Sequence, residues 1–92
     1  MNSPSQQNPD ASAITPAHSL DLTGLKCPLP VLKARRQINS MAAGEILQVM
    51  ADDPAAPLDF DHFCHTNGHQ LVETQTAGTV FTFTIRAGAG GD

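Results

Sequence analysis

Segments typical of strands and segments typical of helices follow one another through residues 18–86, and this order constrains the fold more than any other feature. Alternating apolar and polar residues indicate strands, whereas apolar residues three or four positions apart indicate helices. Glycine, asparagine and proline signals separate the segments. The predicted elements are a strand over 18–22, a helix from Pro28, a strand over 45–51, a helix over 58–67 and strands over 70–76 and 79–86, the last two joined by a hairpin at Ala77-Gly78.

The order β-α-β-α-β-β predicts an α/β (α+β) two-layer sandwich, with two helices on one face of a four-stranded mixed sheet. The first strand-helix-strand unit is expected to be right-handed, so its two strands are parallel and end at one edge of the sheet. Cys27 follows the first strand, and Asp52 and Asp53 follow the second. Since ligand and reaction sites collect at such edges, the topology is expected to bring the thiol and the carboxylates to one rim.

Each predicted helix has one apolar side that should face the sheet. Pro30 fits the first helical turn, where the proline's missing N–H would have no partner. A resolving role for Cys64 is possible, but burial as a small hydrophobic side chain is favoured. The expected core positions are Val31, Leu32, Ala34, Ile38 and Met41 in the first helix and Leu58, Phe60, Phe63 and Cys64 in the second.

The two ends of the chain lack a periodic apolar pattern. Residues 1–17 are predicted to be a disordered tail and residues 88–92 a flexible tail, flanking one domain over 18–87. The N-terminus has neither the basic nor the apolar region of a signal peptide, and no apolar run approaches the length of about 20 residues that a membrane span needs. We therefore expect a cytoplasmic protein without a membrane partner, whose two cysteines are free thiols.

Charge is concentrated in one short segment of an acidic chain. The formal net charge is −4, but residues 26–36 hold four of the five basic side chains and no acid. Such a strip predicts a docking face for an acidic partner, unless it is simply a solvated helix surface. The acidic total and the absence of Tyr and Trp argue against direct nucleic-acid binding. The basic side chains of the strip are Lys26, Lys33, Arg35 and Arg36.

Cys27 precedes Pro28 at the predicted N-cap of the first helix. The free N–H groups and the positive end of the helix dipole favour an anion there, and Lys26 is adjacent, so a lowered thiol pKa is expected. Pro28 and Pro30 should stiffen the turn and present the sulfur outward. A buried structural cysteine remains an alternative, whereas a redox dithiol is disfavoured because position 30 of the Cys-x-x-Cys spacing is proline.

The segment LDLTGLKCPLPVLKARRQI, with its Cys-Pro-x-Pro motif, resembles the signature of the TusA/SirA-like sulfur-carrier family. The segment GEILQVMADDPAAPLDFDHFCHTNGHQLVE is similar to the family's central region. The resemblance covers residues 19–87. It implies a sulfurtransferase-type carrier, in which Cys27 accepts sulfane sulfur as a persulfide from a cysteine desulfurase or a rhodanese-like donor.

The resemblance further implies that the sulfur passes to a downstream acceptor protein, towards 2-thiouridine in tRNA, molybdenum-cofactor assembly or sulfur oxidation. Arg35 and Asp53 match family positions linked to partner contact. Leu29 stands where many members of the tRNA branch have Glu, so the recipient stays open. We expect a monomeric shuttle without a cofactor, and not a multiple-turnover enzyme. Thiol exchange needs an exposed nucleophile and a docking face, and a domain this small has little room for a deep pocket.

Two other interpretations depend on particular side chains. A partner-binding regulatory module, with Cys27 structural, would tolerate Cys27→Ser, whereas a carrier would not. A metal site is disfavoured because the helix ends before the last histidine of the candidate cluster and Cys64 is expected to point inward. The cluster comprises His62, Cys64, His65 and His69.

Overall fold

The computed structural model describes residues 16–88 and contains the predicted four strands and two helices in the predicted order. The strand bounds differ from the predicted ones by one residue, and the second helix begins two residues earlier. The tails predicted for 1–17 and 88–92 lie almost entirely outside the described residues. The elements are β1 His18–Asp21, α1 Leu29–Ile38, β2 Ile46–Ala51, α2 Ala56–Asn67, β3 Gln70–Ala77 and β4 Val80–Arg86.

The four strands form one mixed sheet in the order β1-β2-β4-β3. β1 and β2 are parallel, with Leu20 opposite Val49, and the remaining pairs are antiparallel. The predicted parallel strand-helix-strand unit is therefore confirmed. The hairpin between β3 and β4 turns at Gly78-Thr79, one residue later than predicted, and Gly78 has a φ of 63°, a left-handed conformation that glycine adopts without a Cβ clash.

The core lies between the sheet and both helices, as the two-layer prediction requires. Leu47 and Ile85 are opposite each other across β2 and β4 and are fully buried. The rings of Phe60, from α2, and Phe83, from β4, stack with their centroids 4.6 Å apart. This contact fixes α2 against the middle of the sheet, since aromatic pairs add to the stabilisation that burial provides.

Most predicted core positions are confirmed, but two leucines are not buried. Leu58 is 74% exposed and Leu32 is 49% exposed. The reason is the phase of each helix. α2 begins at Ala56 and buries Ala56, Phe60, Phe63 and Cys64, whereas α1 buries Pro30, Ala34 and Ile38. Both leucines lie off these buried sides, because two-residue steps do not share a helix face.

No helix within residues 16–88 combines the length and the apolar character needed to cross a membrane.

His69 links the end of α2 to the last described residues. The side chain is 9% exposed, and its Nδ1 atom accepts a hydrogen bond of 2.9 Å from the Gly88 N–H. Its Nε2 atom is buried without a partner among the described residues. Burial lowers the pKa of His69 below its ordinary value. The folded domain therefore holds this imidazole in its neutral form.

We expect the free energy of unfolding to decrease as pH falls below about 6.5, because the unfolded chain then binds a proton that folded His69 excludes. The part of this decrease that His69 contributes is at most about 1.4 kcal/mol per pH unit. Urea unfolding at about pH 7.5 and about pH 5.5 measures it. His69→Asn should reduce the dependence, and His65→Gln, which changes an exposed histidine of α2, should retain it. An unchanged dependence in His69→Asn would contradict the assignment.

Candidate functional site

The parallel strands β1 and β2 end at one rim, and the residues that follow them are hydrogen-bonded to each other. The Gly24 N–H donates to Asp52 Oδ1 at 2.9 Å, and the Cys27 N–H donates to Asp53 Oδ2. The predicted meeting of the thiol segment with both carboxylates is confirmed. Both carboxylates bind the backbone of the segment, and so they hold the loop that carries the sulfur.

Asp53 joins two parts of the rim. In addition to the Cys27 N–H, its carboxylate accepts the Ala55 N–H at 3.0 Å, directly before α2. The bond from Ala55 and then the bond from Cys27 lower the pKa of Asp53. The side chain is only 8% exposed. Its carboxylate therefore positions the Cys27 backbone, and its role in partner docking stays a prediction.

Cys27 is an exposed free cysteine immediately before α1. The predicted N-cap position is wrong by one residue, because Pro28 is the N-cap and the helix begins at Leu29. The Leu29 N–H donates to the Lys26 carbonyl oxygen at 2.8 Å, which closes a turn around the cysteine. Pro28 is exposed, whereas Pro30 is buried and anchors the first helical turn in the core. The sulfur is thus presented on a turn that is fixed on both sides.

The ionisation of Cys27 is the main point on which the sequence-based expectation fails. The helix start and Lys26 predict a lowered pKa, but the pKa of Cys27 is raised. The first cause is a hydrogen bond with the Asp59 side chain, followed by partial desolvation and by the negative charges of Asp59 and Asp53. Asp59 belongs to the first turn of α2. Sequence reasoning missed it, because only the packing of α2 beside α1 brings it to the thiol.

An open groove of about 490 Å³ lies between α1 and α2, and Cys27 is one of the residues that line it. The small size of the domain predicts little room for a deep pocket. The groove is open, and it surrounds one side of the cysteine with apolar side chains. Leu32 and Leu58, the two leucines wrongly assigned to the core, belong to it. The polar or ionisable lining residues include Cys27, Arg35, Asp59 and His62, and the apolar ones are Pro28, Val31, Leu32, Leu58 and Phe63.

The structure divides the predicted basic strip between two surfaces. Arg35 lines the groove beside Cys27. Lys33 and Arg36 line a second depression of about 400 Å³, together with Leu20 and Ser40. Residues three apart share a helix side, whereas adjacent residues differ by about 100°. Lys33 and Arg36 therefore lie on a different surface of α1 from Arg35, and of these three residues Arg35 shares the groove with Cys27.

The remaining candidates do not form a second site. Cys64 is 2% exposed, and burial raises its pKa to about 12, so its thiolate is suppressed. This confirms the predicted burial. His62 lines the groove, whereas His69 is buried elsewhere. Within the described part of the chain, 16–88, no group of three or more His, Cys, Asp or Glu side chains is placed to hold a metal ion.

Comparison with known proteins relates this chain to proteins that handle sulfur, in agreement with the exposed cysteine of the site. The profile of the family described as "Sulfurtransferase TusA" matches residues 18–87. The sulfur carrier protein TusA of Allochromatium vinosum is 43% identical over 67 residues, which cover 73% of this chain and 88% of that protein. A provisionally named sulfur carrier protein of Neisseria meningitidis serogroup A is 43% identical over 70 residues, or 76% of this chain and 95% of that one.

A solved structure also matches the fold. The SirA-like protein from Desulfitobacterium hafniense superposes with a TM-score of 0.69 at 26% identity, covering 77% of this chain and 97% of that one. The match extends over nearly the whole of that structure. The two-layer arrangement of this chain is therefore the arrangement of a known SirA-like protein.

Proposed function

Because the chain belongs to the TusA sulfurtransferase family, we propose that it acts as a sulfur carrier that holds sulfane sulfur as a persulfide on Cys27. The observation that carries this proposal is the placement of an exposed free thiol on a turn whose backbone is held by Asp53, beside an open groove. The second cysteine, Cys64, is buried and poorly suited to the same role. Cys27 is thus the accessible nucleophile of the described domain.

The chemistry is a pair of thiol exchanges. The Cys27 thiol loses its proton to solvent, and the thiolate attacks the terminal sulfur of a donor persulfide. A new S–S bond forms on Cys27 while the donor's S–S bond breaks, and the donor's cysteine leaves as a thiolate. An acceptor thiolate then attacks the terminal sulfur on Cys27, and Cys27 leaves in turn. Each exchange is redox-neutral overall, so the relay needs no separate oxidant or reductant.

The partners that fit this chemistry are proteins with a reactive sulfur of their own. We propose a cysteine desulfurase or a rhodanese-like enzyme as donor and a separate protein as acceptor, serving tRNA 2-thiouridine formation, molybdenum-cofactor assembly or sulfur oxidation. We propose that the relay operates in the cytoplasm, since a reducing compartment keeps Cys27 and Cys64 as thiols. We also propose that the carrier is a monomer. Leu29 is 45% exposed close to Cys27 and is available to discriminate among acceptors.

Arg35 is proposed as a docking residue, because it lines the groove next to Cys27. Arg35→Glu should slow sulfur transfer from the donor by about tenfold at low ionic strength, mainly through slower association, and less at high salt. Arg36→Glu is a matched control, because it makes the same charge change one residue along on another surface. Transfer of labelled sulfur, measured as initial rate against salt concentration, checks this. Equal slowing by both variants would show that net charge matters and that the surface beside Cys27 does not.

A partner-binding module is the second candidate, favoured by the exposed leucines of the groove. Leu32 and Leu58 are large apolar side chains that a docked partner would cover. In this function Cys27 would have a structural role. The Cys27→Ser variant described in the Discussion separates the two functions.

A further inference from the structure

Asp59 places a carboxylate near the Cys27 thiol, although the exchange of sulfur does not itself need a carboxylate there. It lies in the first turn of α2, is half-buried, and lines the same groove as the thiol. The carboxylate and the thiol therefore share one groove between the two helices. We propose that Asp59 is a positioning residue that holds Cys27 as a neutral thiol in the unbound carrier. This inference rests on the proposed function and adds a means of restraining the nucleophile between transfers.

The physical reason is the asymmetry of the hydrogen bond. A thiol can donate its proton to the Asp59 carboxylate, whereas a thiolate has no proton to donate and would place two negative charges side by side. The interaction with Asp59 is the first cause of the raised pKa of Cys27, followed by desolvation and by the negative charges of Asp59 and Asp53. A half-buried carboxylate is also less screened by solvent than an exposed one. Asp59 therefore favours the protonated, less nucleophilic form of the cysteine.

Other titratable groups lie in the same region and must be weighed against Asp59. The turn before α2 contributes Asp53, α1 contributes Arg35, α2 contributes His62, and the cysteine's own loop contributes Lys26. Asp53 has the same sign as Asp59, but its carboxylate is occupied by backbone N–H groups. The positive charges of Arg35 and Lys26 oppose both carboxylates. The direct hydrogen bond makes Asp59 the largest of the influences on Cys27.

The consequence for a carrier is that Cys27 is less reactive in the free protein than in a complex with its partner. A free carrier with a neutral thiol reacts slowly with stray electrophiles and oxidants, because the thiolate is the reactive species. A partner docked in the groove contacts the surface that Asp59 lines and can displace or pair with its carboxylate. The thiolate would then form mainly in the complex, where a donor sulfur is in place.

The test is the pH profile of Cys27 alkylation by iodoacetamide in the free protein. Trypsin separates the two cysteines, because cleavage after Lys26, Lys33 and Arg36 places Cys27 in peptide 27–33 and Cys64 in peptide 37–86. Asp59→Asn keeps the size and a hydrogen-bond acceptor but removes the charge. We expect its alkylation midpoint at lower pH and a several-fold faster reaction at neutral pH. At alkaline pH its plateau should be slower than that of the wild type, since a less basic thiolate is less nucleophilic.

Two variants control for other effects. Asp61→Asn removes an exposed carboxylate from the same helix and should keep the wild-type profile, and Asp59→Glu should stay close to it. An Asp59→Asn profile with an unchanged midpoint, or one raised by the same factor at every pH, would overturn the inference, the latter because it reports access alone. Sulfur loading of Cys27 is measured separately. A carrier that shifts its profile but never loads sulfur would contradict the proposed function and leave the role of Asp59 standing.

Discussion

Cys27→Ser is expected to abolish sulfur transfer through this protein while leaving its free energy of unfolding within about 0.5 kcal/mol of the wild type. The loss is complete because a hydroxyl does not form a persulfide, and the described domain has no other exposed thiol. The fold is retained because the side chain is exposed and its backbone N–H still donates to Asp53. Transfer of labelled sulfur from a cysteine desulfurase to an acceptor protein measures the loss, and urea unfolding measures the stability.

Cys64→Ala provides the matched comparison for the same assay. Cys64 is buried in α2, so its truncation should destabilise the domain by about 1 kcal/mol while transfer continues. Cys27→Ser should thus lose transfer and keep its stability, whereas Cys64→Ala should lose stability and keep transfer. Transfer through Cys27→Ser at the wild-type rate would contradict the carrier function and favour the binding module.

Asp53→Ala is expected to reduce both stability and sulfur transfer. The substitution removes one carboxylate that accepts the N–H groups of Cys27 and Ala55, and the cost is about 1–3 kcal/mol. The turn before α1 should then be less well fixed, so that transfer slows by about tenfold even at saturating donor. Urea unfolding and the rate of Cys27 loading measure the two effects.

The acid dependence of stability supplies a second readout for Asp53. Because the folded-state pKa of Asp53 is lowered, its contribution is present above about pH 3.9 and is lost as pH falls through the folded value. Asp53→Ala should lack that part of the acid transition. Asp52→Ala is the control, since Asp52 accepts only the Gly24 N–H in the described hydrogen bonds and should have a smaller effect on loading. Equal loading rates in the wild type and Asp53→Ala would show that Asp53 does not position the cysteine.

The fold could be predicted from the sequence because its elements differ in period. The alternation in β3 and β4 and the spacing of Phe60, Phe63 and Cys64 identify the element types without tertiary information. The rim could be predicted for the same reason, since parallel strands place Cys27 and Asp53 at one edge. The side of each helix was harder to assign. Leu58 is a large apolar residue of the kind found in cores, but it lies outside the buried side of α2.

The ionisation of Cys27 could not be predicted from its neighbours along the chain. Lys26 and the helix start are visible in the sequence, but Asp59 is 32 positions away and reaches the thiol only through the packing of two helices. A pairwise contact of this kind depends on how α1 and α2 pack, which their periodicity does not specify. The division of the basic strip, by contrast, follows from helical geometry: Lys33 and Arg36 are three apart, and Arg35 points elsewhere.

The most direct test of the central claim is to locate the sulfur after the protein is incubated with a cysteine desulfurase, the enzyme's cofactor and cysteine. Digestion by trypsin under non-reducing conditions, followed by mass spectrometry, assigns any added sulfur to peptide 27–33 or to peptide 37–86. We predict that the mass of one sulfur atom is added to peptide 27–33 and removed by a reducing thiol. Sulfur found on the Cys64 peptide alone, or on neither peptide with both desulfurase and rhodanese donors, would contradict a persulfide on Cys27.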